Sequence, residues 1–108
     1  MELNEYQRKA VSTAKYPADT GLIYTVLGLA SEAGEVAGKV KKAIRDENCV
    51  ITDERKQQLV SELGDVLWYV AMVAVELNTT LDIVAQLNLA KLSDRDTRDV
   101  ISGDGDTR

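Results

Sequence analysis

Two short acidic stretches carry the residues best able to do chemistry: "SEAGE" at 31–35 and "SELGD" at 61–65. Each sets one carboxylate three positions from another, Glu32 with Glu35 and Glu62 with Asp65. Residues three apart on a helix share a face, so each stretch presents an acidic pair. Taken singly, such a pair is common on a solvated helix face. Two copies are harder to dismiss. Aligning the chain with itself at an offset of 30 places Ser31 on Ser61, Glu32 on Glu62, Gly34 on Gly64, Glu35 on Asp65, Val36 on Val66 and Val40 on Val70. If the two helices pack antiparallel, the four carboxylates meet beside apolar stripes. There they repel one another and lose hydration, which is costly for every unpaired ion. A cation among them removes both penalties.

The ligand types select the cation. The chain has no histidine and a single cysteine, Cys49, so the donors are oxygens, which suits Mg2+ or Mn2+ and disfavours zinc. Missing histidine also argues against a di-iron carboxylate bundle, which takes a Glu-x-x-His pair from each of two helices. A magnesium site with open water positions is the usual companion of phosphate groups, so basic residues are expected close by. Lys39 falls four residues after Glu35 and Lys42 follows about one turn later, while Lys91 and Arg95 form a second basic stretch. Lysine four residues after glutamate is equally an ordinary surface pair. Gly34 and Gly64, one inside each motif, remove side chains beside the acids. They are expected to let the helices approach closely, which would offset a helix cost of about 1 kcal/mol each.

Helices must position these groups. Pro17 is the sole proline and biases Tyr16 away from helical geometry, so a first helix over roughly residues 2–15 is expected to stop there. From about Thr20 to Arg45, apolar residues recur at Val26, Ala30, Ala33, Ala37, Val40 and Ile44, an amphipathic helical stripe. "DENCVITD" breaks the period, and Thr52 or Asp53 can cap a third helix running to about Leu77. Asn78 is a stop and Thr79 or Thr80 the cap of a fourth helix carrying Ile83, Val84, Leu87 and Leu92. The tail "RDVISGDGDTR" reads as irregular backbone. The third helix is apolar on nearly every side, with Leu59, Leu63, Val66, Val70 and Val73 on one side and Val60, Leu67, Trp68, Ala71 and Val75 on others. Such a helix needs cover all round, more than one small chain supplies, and a second subunit is expected to complete it. The fold class is therefore all-α, a four-helix bundle-type domain spanning 1–108 and completed by oligomerisation.

The totals exclude other roles. A formal charge of -5 argues against a surface for nucleic acid polymers, which needs a basic face. A lone cysteine forms no intramolecular disulfide and fits a reducing compartment. The run Val66–Val75 is too short to span a membrane, and "MELNEYQRKA" is too charged for a signal peptide. A cytoplasmic protein with no membrane partner is expected.

With the doubled motif, the helix order and the tail in view, the chain resembles the all-α nucleoside triphosphate pyrophosphohydrolases of the MazG-like group, relatives of the dimeric dUTPases and dCTP pyrophosphatases. The family pattern is Glu-x-x-Glu, a spacer, then Glu-x-x-Asp, here "EAGE" at 32–35 and "ELGD" at 62–65. "LGLASEAGEVAGKVKKAIRD", Tyr69 four residues after the last acid, and "NLAKLSDR", which supplies Asn88, Lys91 and Arg95, extend the likeness over nearly the whole chain. The ending "GDGDTR" looks like the tail of single-domain members. The resemblance implies hydrolysis of a nucleoside triphosphate between its α and β phosphates. It implies Mg2+, with Mn2+ as substitute, held by Glu32, Glu35, Glu62 and Asp65, and Glu35 as the acid activating water. Lys39, Lys91 and Arg95 would stabilise charge at the phosphates. Tyr69 matches a position near the sugar and Asn88 a nucleotide-contacting one, with Lys42 as a further basic contact. Residues 94–108, ending in Arg108, would cover the phosphates, with a frayed terminus as the alternative reading of the tail. Homodimers, or tetramers built of two dimers, are implied as well. Trp68, about 100° round the helix from Tyr69, is expected to pack rather than to stack on a base, and Tyr6 and Gln7 are likewise assigned to packing. The alternative on the same fold is a catalytically idle helical oligomer that binds nucleotide or protein.

Overall fold

In the computed structural model, which describes residues 1–108, four α-helices follow one another without a strand: α1 (Leu3–Val11), α2 (Gly21–Asp46), α3 (Asp53–Glu76) and α4 (Leu81–Thr97). The all-α reading of the sequence holds. A single 3-10 turn, Ala18–Thr20, leads into α2.

The starts and stops follow local chemistry. Thr52 Oγ1 accepts from Arg55 N at 3.1 Å and Thr80 Oγ1 from Ile83 N at 3.2 Å, each satisfying an otherwise orphaned amide in a first turn. Asn78, with φ 56°, turns the chain after α3, and Asn48 and Cys49, at 54° and 64°, turn it after α2. Asparagine is among the few residues that enter this left-handed region readily. The first helix is shorter than the expected 2–15. Ser12 and Thr13 hydroxyls donate back to Lys9 O at 2.6 Å and Ala10 O at 2.7 Å. Side-chain bonds of this kind compete with helix continuation and end α1 well before Pro17.

Helices α2 and α3 form the principal packed pair. Their neighbours run in opposite senses: Gly21 lies beside Glu76 and Gly28 beside Tyr69, while farther along Lys39 pairs with Glu62 and Arg55 with Glu47. The pair is thus antiparallel, the arrangement that the acidic repeat requires. Helix α1 lies across α3, and the core gathers Ala10, Ala71, Met72, Ala74 and Leu81. Gln7, one of the few buried polar residues, ties α1 to the start of α4: its amide donates to Thr79 O at 3.1 Å and accepts from Leu81 N at 2.9 Å. That is the packing role expected of it.

Helix α4 touches α1 and the end of α3 but not α2. The radius of gyration is 16.7 Å, against about 13 Å for a compact domain of this length. Openness leaves apolar stripes in water: Leu22, Ile23, Val26 and Leu27 on α2, and Val60, Leu63 and Leu67 on α3, are all exposed. Helix α3 has the length and apolar composition of a membrane span. Its acids Glu62 and Asp65 lie where a bilayer would penalise charge, and α2 packs along it.

Candidate active site

Position 32 of α2 and positions 62 and 65 of α3 face one another across the helix pair. Carboxylate oxygens of Glu32, Glu62 and Asp65 lie within 4.8 Å of one another, with Glu32 and Glu62 partly buried and Asp65 exposed. This convergence has an electrostatic signature. The Glu32 carboxyl is pushed above its usual range, first by desolvation and then by the charges of Asp65, Glu62 and Glu35. Like charges held this close disfavour ionisation. One cation stands at the rim, Lys39 Nζ, 3.8 Å from Glu62 Oε1. Three oxygen donors from two helices fit a hard divalent ion, and no nitrogen or sulfur donor joins them.

Three of the four expected acids are therefore gathered. Glu35 stays exposed outside the trio, close enough for its charge to act on Glu32. The motif glycines do not work as expected: a Cβ on Gly34 or Gly64 would meet nothing within 4 Å. Close approach occurs instead at Gly28, where a Cβ would overlap the Tyr69 ring. The bare backbone at Gly28 seats that ring one turn before Glu32. The Tyr69 hydroxyl is pushed above its usual range, first by desolvation, then by the neighbouring Tyr24 hydroxyl and by the charges of Glu32 and Asp65.

A cavity of about 390 Å³ opens beside the acids, lined by Thr13, Glu32, Asp65, Trp68 and Tyr69. Trp68 was expected to pack, and it does rest against the core, yet it also walls this cavity. The signal was available: Trp68 and Tyr69 lie three and four residues after Asp65, and both spacings flank its face of the helix. Thr13 carried no such signal, because only the early end of α1 brings it to Trp68, whose indole Nε1 donates to Thr13 Oγ1 at 2.9 Å. Another groove, of about 360 Å³, lined by Asn4, Gln7, Arg8, Val11, Val75 and Thr80, holds no acid.

The remaining expected residues lie elsewhere in the chain. Lys42 is exposed and acts on Asp46. Asn88, Lys91 and Arg95 ride on α4, which does not touch α2. Lys91 Nζ lies 2.8 Å and Arg95 Nη2 2.9 Å from Asp106 Oδ1, and Arg95 is buried. The Asp106 carboxyl is held below its usual range by its bonds to Lys91 and Arg95. Arg108 donates to Val100 O at 3.0 Å, Ile101 O at 2.7 Å and Gly105 O at 2.6 Å, so it braces the tail on itself.

Residues 22–99 match the MazG nucleotide pyrophosphohydrolase domain, from the first turn of α2 to just past α4. The chain is also 48% identical over 114 residues to the Gene 37 protein of Mycobacterium phage L5, with 100% of each chain covered. No solved structure matches it.

Proposed function

The chain belongs to the MazG nucleotide pyrophosphohydrolase family, typically metal-dependent enzymes of nucleotides, and from that premise we propose Mg2+-dependent hydrolysis of (deoxy)nucleoside triphosphates to monophosphate and pyrophosphate. The observation that carries this reading is the meeting of Glu32, Glu62 and Asp65 oxygens within 4.8 Å across two helices. No cation of the chain lies closer to Glu62 than Lys39, at 3.8 Å. Oxygen donors gathered this closely suit a hard divalent ion. Glu32, Glu62 and Asp65 would hold Mg2+, or Mn2+ in its place. When bound, the ion supplies charge neutralisation at the phosphate oxygens.

Glu35, exposed and outside the trio, is the acid assigned to the attacking water. It takes the proton as water oxygen bonds to the α phosphorus and the α–β bridging P–O bond breaks, with pyrophosphate leaving. Lys39, at the rim, stabilises charge on the phosphates as they separate. Tyr69, seated over Gly28, is the sugar contact. Asn88, Lys91 and Arg95 ride on α4, which does not touch α2, so they would serve a nucleotide held by a neighbouring copy in a homodimer or dimer of dimers, with phosphate taking the place of Asp106 on Lys91 and Arg95. The exposed stripes of α2 and α3 support that assembly, and residues 94–108 with Arg108 lie over the phosphates from the same side. Lys42 guides the polyphosphate from outside the cluster.

The test is product chromatography over all common dNTPs and NTPs, with Mg2+ and with chelator. Monophosphate and pyrophosphate in equal amounts, abolished by chelation, are expected. Release of orthophosphate as first product, or no turnover of any nucleotide, would sink the reading. Glu35→Gln is expected to lower kcat about a hundred- to ten-thousand-fold, the range for a lost general base, while leaving metal binding intact.

A further inference from the structure

We propose that the Trp68 indole is the surface on which the nucleobase lies, and that it accepts purines and pyrimidines alike. The assignment rests on the pyrophosphohydrolase reading, which fixes where the phosphates are.

The cavity beside the acids is chemically divided. Its lining is of two kinds, the carboxylates Glu32 and Asp65 and the uncharged side chains Trp68, Tyr69 and Thr13. No lysine or arginine lines it, so without metal nothing there attracts phosphate. Trp68 and Tyr69 are three and four residues from Asp65 on one helix, about 4.5–6 Å along the axis at ~1.5 Å per residue. A nucleotide with its polyphosphate at the acids therefore has its nucleoside within reach of the aromatic wall.

The wall is rigid. Trp68 meets Tyr69 at a centroid distance of 4.9 Å and Tyr16 at 6.5 Å, with interplanar angles of 84° and 88°. Tyr16 is in turn stacked on Tyr24 at 5.3 Å and 14°. Both neighbours of the indole make edge contacts, and neither is stacked parallel on it. The hydrogen bonds of the wall are internal as well: Trp68 Nε1 donates to Thr13 Oγ1 at 2.9 Å, and Thr13 Oγ1 donates to Ala10 O at 2.7 Å. Neither donor is left to read a base edge. What remains is a flat π surface, and stacking on such a surface tolerates every base because every base has a π face.

Trp68 is the only tryptophan, so the unmodified chain reports on its own subsite. The probes are α,β-imido analogues of dATP and dUTP, which carry nitrogen in place of the scissile oxygen, and inorganic triphosphate, all with Mg2+. Both nucleotide analogues are expected to change Trp68 fluorescence, while inorganic triphosphate binds without doing so. Trp68→Leu is expected to raise KM about five- to a hundred-fold for purine and pyrimidine substrates alike, the loss of one base–aromatic stack. Trp68→Phe should recover most of that loss, and the melting temperature of each variant checks that the core has survived. The assignment is overturned if the analogues bind calorimetrically with no change in fluorescence. It is also overturned if Trp68→Leu keeps the normal KM, or raises KM for one base alone. Absence of hydrolysis across the nucleotide panel defeats the pyrophosphohydrolase reading itself, whereas normal hydrolysis with a silent Trp68 defeats only this assignment.

Discussion

The acid cluster between α2 and α3 and the cation cluster on α4 are electrostatic opposites, and they are resolved in opposite ways. Lys91 and Arg95 are neutralised within the chain by Asp106, at 2.8 and 2.9 Å. Glu32, Glu62 and Asp65 crowd together with only Lys39 at their rim. The titration shifts record the difference: Asp106 is held below its usual range by Lys91 and Arg95, and Glu32 is pushed above its own by desolvation and neighbouring acids. A chain that satisfies one charged region and leaves another in conflict marks the second as the place for a ligand, since unrelieved repulsion of this kind persists where function uses it.

Removing an acid from the conflicted region should produce the largest effect. Glu62→Gln is expected to lower turnover at least about a hundred-fold, since even the partners of metal ligands cost ten to a hundred-fold. The same change relieves repulsion, so the metal-free variant should melt higher than wild type. Mg2+ stabilises whatever state binds it by mass action, and that increment should vanish in the variant. A variant that melts lower, or keeps the full Mg2+ increment, would mean that the acids are not in conflict and the contrast with α4 is empty.

Next in size is Gly28→Ala, which asks whether the aromatic side of the same region depends on bare backbone. The added methyl overlaps the Tyr69 ring, which is too rigid to yield at its end. Turnover is expected to fall about ten-fold through displacement of Tyr69, and stability by about 1–3 kcal/mol from overpacking, partly offset by alanine's better helix propensity of about 1 kcal/mol. In a Tyr69→Ala background the clash is gone, and the same substitution should be neutral or stabilising. Additive losses across the double-mutant cycle would show that Gly28 does not act through Tyr69.

Much of this contrast was legible in the sequence, and the parts that were not share a cause. Helix order, the Asn78 stop and the caps, narrowed to Thr52 or Asp53 and to Thr79 or Thr80, follow from local chemistry that a linear reading captures. The repeat, whose spacing matches the helix period, led to an expected meeting of four acids, of which Glu32, Glu62 and Asp65 do meet. What escaped depends on how elements meet. Gly34 and Gly64 looked like contact glycines because they adjoin the acids, but the interface of α2 with α3 runs through Gly28, whose partner Tyr69 is 41 positions away. Thr13 joined the cavity only because hydroxyl back-bonding ended α1 early. The distance of Asn88, Lys91 and Arg95 from the acids depends on the direction in which α4 leaves the core, set by Gln7 and by Asn4, whose Oδ1 accepts from Asp82 N at 3.0 Å. No helical period encodes that direction.

The smallest effects distinguish the two regions most cleanly, because their pH dependences run in opposite directions. A carboxyl whose folded pKa is raised, as at Glu32, binds protons more readily when folded. Its neighbourhood is therefore most stable below the ordinary value of 4.5 and loses stability as pH rises through the raised pKa. Asp106 has a lowered folded pKa, so its contribution is present above the ordinary 3.8 and disappears as pH falls through the lowered value. Both groups are solvent-accessible, and shifts in melting temperature of no more than about a few degrees are expected. Metal-free Glu32→Gln should melt above wild type at pH 7 and Asp106→Asn below it. On acidification both differences should close, that of Glu32 at higher pH than that of Asp106. Thermal melts of the metal-free proteins from pH 7 to pH 3 check this, and shifts of the same sign at neutral pH would mean that one electrostatic regime governs both regions.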